Sequence, residues 1–135
     1  FPAAEIDQSV MTSPKARPIS PHLQIYRPQL TAVMSSFHRI SGLILSLAAA
    51  GLAIWLIALR LGPSVFSPLQ DFLSSGWSRA GFFLLATGFV YHLANGIRHL
   101  AWDKGFGYSI QSVYRSGWLV LGATAIGALL FLFAL

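Results

Sequence analysis

Three stretches of this chain contain no charged side chain: Ile40–Leu59, Ala80–Ile97 and Ser116–Leu135, of 20, 18 and 20 residues. At about 1.5 Å per residue, each is long enough as a helix to cross a hydrocarbon layer of roughly 30 Å. Backbone inside lipid must satisfy its own hydrogen bonds, and the runs lack the period-two alternation of a barrel strand. Helices are therefore predicted. Composition removes the soluble alternative, because 55% of the 135 residues are apolar and 10% charged, against about a quarter charged in a soluble domain. The chain is expected to be an all-α membrane protein with three transmembrane helices at about 36–60, 79–99 and 115–135. All four acids (Glu5, Asp7, Asp71 and Asp103) fall outside the spans.

A chain of this length has room for one domain and none for a separate catalytic module. The expected division is an extended N-terminal segment, 1–34, followed by a membrane-anchor domain, 35–135. Pro14, Pro18, Pro21 and Pro28 lack amide donors and push their predecessors toward extended backbone. The 60–79 connection holds Gly62, Pro63, Pro68 and Gly76 and is predicted to be a loop, with a short interfacial helix near Pro68–Leu73. Trp77, Trp102 and Trp118 fall near the span ends, where amphipathic rings anchor helices. Two origins for residues 1–10 stay open: a remnant left after removal of a transit peptide, or an extension upstream of Met11 as the natural start.

Seven of the nine Lys and Arg residues lie before the first span or in the 98–115 connection, and two, Arg60 and Arg79, lie in the 60–79 connection. The positive-inside rule puts the N-terminus and the second connection inside. The net charge of +5 is scattered beside apolar runs and makes no nucleic-acid stripe. Absence of cysteine removes disulfides, thiolate metal sites and iron–sulfur ligation by this chain. A Gly-rich nucleotide loop, a His-Glu-x-x-His motif and a carboxylate pair within a span are also absent, so hydrolysis and phosphoryl transfer find no support.

Three constellations carry chemistry. His92 lies inside the second span, about 9 Å along the helix from Arg98 and about 20 Å from Arg79, and an ionisable group at that depth needs a partner or a function. Gly88, His92, Gly96 and His99 fall on one stripe. An imidazole between glycines one turn away suits a macrocycle approaching the backbone, with His92 as the axial ligand of haem iron. Helix packing through the glycines and a proton relay are the other readings of the same stripe. Second, Ser35, His38, Arg39 and Gly42 share one face at the inner end of the first span. Their hydroxyl, imidazole and guanidinium suit a quinone carbonyl or haem propionates, the bland reading of Arg39 being a snorkelling cation. Third, Arg98, His99 and Asp103 stand at the inner interface, where His99 and Asp103 could move protons and Arg98 could complement a helix C-terminus.

At these residues the sequence resembles the cytochrome b556 membrane-anchor subunit family of succinate dehydrogenase (respiratory complex II). One motif runs from Arg17-Pro18-Ile19 through Ser20-Pro21-His22-Leu23-Gln24-Ile25-Tyr26 to Ser35-x-x-His38-Arg39-x-Ser41. The other is His92-x-x-x-Gly96-Ile97-Arg98-His99-Leu100-x-Trp102-Asp103-x-Gly105. The resemblance spans roughly residues 17–135. It implies a helical bundle completed by a second small anchor subunit, with flavoprotein and iron–sulfur subunits held at the inner face of the lipid bilayer. It implies one haem b shared with the second anchor and ubiquinone as substrate. His92 matches the axial ligand, Ser35 and Arg39 match quinone-site residues, and His38 with Arg39 lies near the propionates. Asp103 and His99 match the inner edge. A bacterial inner membrane is the expected location, a mitochondrial inner membrane the alternative. Two rival functions remain: a haem-free anchor, and a transporter or channel component with His92 as proton relay.

Overall fold

The computed structural model describes residues 27–134, which form four helices: α1 (Leu30–Leu61), α2 (Pro63–Leu73), α3 (Gly76–Asp103) and α4 (Ile110–Ala134). The expectations for 1–26 lie outside the described residues. Helices α1, α3 and α4, of 32, 28 and 25 residues, are each long and apolar enough to cross a membrane. No strand occurs among the described residues. The three predicted spans are these three helices.

Helix α1 begins five residues before the expected boundary. Gln29 is extended, with ψ 151°, and its carbonyl takes the first helical bond from Val33 N at 3.1 Å. Pro28 is the last residue for many positions without an amide donor, so the helix starts as soon as it is cleared. Residues 30–34 therefore belong to the span rather than to the extended segment.

The 60–79 connection is more ordered than expected. Gly62 turns the chain at φ 100°, where a side chain would be strained. Pro63 then occupies the first helical position, where its missing N–H costs nothing. Helix α2 runs on through Pro68, held against α1 by Trp55 Nε1 donating to Gln70 Oε1 at 3.2 Å and by the edge of Trp55 on Phe66, 5.6 Å between centroids. Those tertiary contacts outweigh the bond that Pro68 removes. At the opposite end, Gly105 and Gly107 take φ 84° and 81°. The Tyr108 hydroxyl closes that turn by donating to the Trp102 carbonyl at 2.6 Å.

The interior is small and partly polar. Met34, Ala58 and Val120 are its buried apolar side chains, and Asn95 and Arg98 are buried beside them. Large apolar side chains on all three long helices face outward, Leu43, Leu84 and Leu119 among them. That distribution suits a lipid solvent, which is as apolar as the side chains themselves. Small residues set the close approaches: Gly127 of α4 against Val90 of α3, and Gly117 of α4 against Met34 and Leu30 of α1.

Candidate functional site

The polar side chains of the bundle gather where the N-terminal third of α1 meets the C-terminal half of α3. His92 projects from α3 onto α1 at Gly42, and a Cβ built on Gly42 would sit 2.9 Å from His92 Cε1. Only glycine admits the ring there. The Gly42 stripe, expected to serve packing, also seats this imidazole.

The contacts of His92 define its protonation. The Ser41 hydroxyl donates to the His38 carbonyl at 2.9 Å, which leaves its oxygen free to accept. His92 Nδ1 lies 3.1 Å from that oxygen and 3.2 Å from the same carbonyl. Both neighbours are acceptors, so the proton of the neutral ring sits on Nδ1 and the lone pair on Nε2. No described residue hydrogen-bonds Nε2. An imidazole tethered through one nitrogen to a backbone carbonyl, with the other nitrogen unshared, is the arrangement of a metal-ligating histidine.

His38 stacks on His92 with 4.0 Å between centroids and 12° between planes. His99 leans on His38 at 5.2 Å, and the edge of Trp102 meets His99 at 5.0 Å. Gly96 makes room for this stack, since a Cβ there would lie 3.8 Å from His38 Cε1. The His38 Nδ1 atom is buried and has no hydrogen-bond partner. Gly88 differs from Gly96: nothing lies within 4 Å of a Cβ placed on it. It lines a cleft of about 460 Å³ together with Ser41, Ile44, Leu45, Ala48 and Leu85.

The other candidates are distributed. Ser35 is half-buried and Arg39 exposed on the flank of α1, so neither is drawn into the imidazole stack. Asp103 is exposed at the end of α3, and His99 packs on Trp102 and His38. Arg98, read from sequence as a helix-end cation, is buried instead and turns toward α4. Its Nε donates to Ser116 Oγ at 2.9 Å, Nη2 to the Val113 carbonyl at 2.8 Å and Nη1 to Asn95 Oδ1 at 3.3 Å. Sequence reasoning also passed over Tyr91, whose hydroxyl donates to the Met34 carbonyl at 2.6 Å. One signal for this second cluster was present: Tyr91, Asn95 and Arg98 recur at helical spacing within an otherwise apolar span.

Comparison with known proteins places the chain in a family. Residues 13–131 match the family described as succinate dehydrogenase/fumarate reductase transmembrane subunit. The succinate dehydrogenase cytochrome b556 subunit of Rickettsia bellii is 40% identical over 107 residues, covering 78% of this chain and 82% of the relative. The mitochondrial cytochrome b560 subunit of Caenorhabditis briggsae is 40% identical over 120 residues, covering 84% of this chain and 63% of its own length. The cytochrome b560 subunit of Marchantia polymorpha is 38% identical over 119 residues, covering 84% and 87%. The chain therefore belongs to the succinate dehydrogenase/fumarate reductase transmembrane subunit family, as a membrane subunit of an enzyme complex and not a catalyst by itself.

Proposed function

We propose that the chain is the haem b-binding anchor of a succinate:ubiquinone oxidoreductase and forms part of its quinone-reduction site. The observation that carries this reading is His92, tethered at Nδ1 by Ser41 and the His38 carbonyl with Nε2 unshared. The residues present fit a haem. An imidazole lone pair is available deep in a span, and Gly88, one turn before His92, has no neighbour that a side chain would meet. The Gly42–His92 contact closes the seam between α1 and α3 at this level, so the group belongs outside that seam, shared with the second small anchor. A second ligand would then come from that partner, because His38 and His99 lie nearer the inner end of the bundle.

Bound there, haem b supplies a one-electron carrier within the bilayer. The chain's own residues do the rest. His92 would hold the iron, with Ser41 and the His38 carbonyl fixing the ring's tautomer and plane. His38 and Arg39 would receive the propionates; the unpartnered His38 Nδ1 is one nitrogen available for that contact. Ser35 and Arg39, one turn apart on α1, would hydrogen-bond a ubiquinone carbonyl and stabilise charge as it develops on the oxygen. His99 and Asp103 would deliver protons from the inner face. Succinate is oxidised on the flavoprotein, and electrons reach the quinone through iron–sulfur clusters that a chain without cysteine cannot ligate. The inner membrane of a bacterium, with the N-terminus inside, is the favoured location, with the matrix face of a mitochondrial inner membrane as its equivalent.

Purification of the native complex through an affinity tag on this chain tests the proposal. Flavoprotein, iron–sulfur subunit and a second anchor should co-purify with one haem b per flavin in the pyridine haemochrome spectrum. The same partners without haem would leave a haem-free anchor, and absence of a flavoprotein would remove the anchoring role.

A further inference from the structure

Arg98 carries a charge that the structure does not compensate with an anion. It is 6% exposed, and its donors meet neutral acceptors: Ser116 Oγ at 2.9 Å, the Val113 carbonyl at 2.8 Å, Asn95 Oδ1 at 3.3 Å and the Met34 sulfur at 4.0 Å. The guanidinium carbon stands 4.1 Å over the Trp102 ring. The acids among the described residues, Asp71 and Asp103, are exposed, and neither pairs with it. Arginine does not deprotonate in proteins, so the charge is permanent.

Hydrogen bonding alone does not explain why a guanidinium stands here. The Ser116 hydroxyl already donates to the Val113 carbonyl at 3.1 Å, so the α4 acceptors have partners without Arg98. Asn95 is fully buried and midway between His92 and Arg98 in sequence; its Oδ1 accepts from the cation while its Nδ2 has no partner. What Arg98 adds and no neighbour replaces is charge. A charge buried in protein is screened by mobile ions far less than an exposed one, so its field extends beyond contact distance. Along α3 the two residues are about 9 Å apart.

We infer that Arg98 is a potential-setting residue, a buried guanidinium without a carboxylate partner whose fixed positive charge raises the reduction potential of the haem held by His92. The inference rests on the haem reading above. Reduction adds one electron to the group, and a nearby cation favours the state carrying that electron. Arg98 touches neither iron nor quinone and acts through space.

The test is a spectroelectrochemical titration of the haem in the intact complex, with the haem-to-flavin ratio and thermal melting measured alongside. Asn95→Asp is the leading variant, because it sets a carboxylate against the guanidinium with almost no change of shape and keeps the α3–α4 contacts. It should lower the midpoint potential at full haem occupancy, and Arg98→Gln should lower it in the same direction. Arg98→Lys and Ser116→Ala keep the charge and should keep the potential, although both weaken the contacts with α4 and lower the melting temperature. Full haem occupancy with an unchanged potential in Asn95→Asp and Arg98→Gln would overturn the inference. So would an Arg98→Lys shift as large as that of Arg98→Gln. A wild-type complex without haem would instead overturn the haem reading itself.

Discussion

Two sides of α3 hold polar groups, about 9 Å apart along the helix, and treat them differently. Toward α1, His92 and His38 each keep an unshared ring nitrogen, Nε2 on one and the buried Nδ1 on the other. Toward α4, Arg98 meets a hydroxyl, a carbonyl, an amide oxygen and an indole face. Burying a polar atom without a partner is costly, and under the proposed reading a ligand completes the open atoms of the α1 side. The α4 side also leaves one such atom, Asn95 Nδ2, but its charged group is engaged on α4 by Ser116 and Val113, which is the work of a scaffold. The same helix therefore presents a reactive side and a bracing side, and glycines mark the difference. Gly42 meets the rigid edge of an imidazole, whereas Gly117 meets the flexible ends of Met34 and Leu30.

The strongest way to break this contrast is at Gly42. A Cβ there lies 2.9 Å from His92 Cε1, and a ring held by two hydrogen bonds and a stacked neighbour cannot yield. Gly42→Val should abolish haem incorporation, measured as haem per flavin in purified membranes. Normal incorporation would show that the α1–α3 contact does not set His92. A smaller but more selective effect is expected at the open flank of α1. Arg39→Ala or Ser35→Ala should slow quinone reduction, with one lost donor to developing charge costing roughly 2.7–4 kcal/mol. Succinate oxidation by a soluble artificial acceptor should be unchanged, and equal losses in both assays would point to failed assembly.

Away from the imidazole stack the expected effects are structural. Tyr91→Phe removes the bond to the Met34 carbonyl, and interhelical hydrogen bonds in membranes are worth about 0.6 kcal/mol on average and about 1.7 at most. A modest drop in the melting temperature of the complex, with an unaltered haem spectrum, is the outcome that fits. Gly117→Ala should do least. The added methyl needs only small shifts of the Met34 and Leu30 side-chain ends at 3.2 and 3.3 Å, and the gain in helix propensity, about 1 kcal/mol, offsets them. A loss of haem in Gly117→Ala would erase the distinction between the faces.

Much of this was legible in the chain. Three charge-free runs announce three spanning helices because lipid leaves no other way to satisfy the backbone. The stripe through His92, Gly96 and His99 follows from helical periodicity, and the structure does turn it toward one neighbour. What periodicity cannot supply is the identity of that neighbour. Gly96, expected to make room for a macrocycle, stands beside His38, a residue 58 positions away. Arg98 sits at a helix end in the sequence and was read as a cation complementing that end; only the packing of α4, through Ser116 and Val113, shows that it is buried. Helix α2 was expected only near Pro68–Leu73, and its start at Pro63 was missed for the same reason. Pro68 and Gly62 are local breakers, and the bond between Trp55 and Gln70 that outweighs them is not local.

The central claim is that His92 holds the haem iron, and the reduced-minus-oxidised spectrum of a His92→Leu complex tests it most directly. Leucine fills a similar volume against Gly42 while removing the ligand. The account predicts that the b-type bands vanish or shift while flavoprotein and iron–sulfur subunits stay membrane-bound. An unaltered reduced spectrum at full haem content would contradict it.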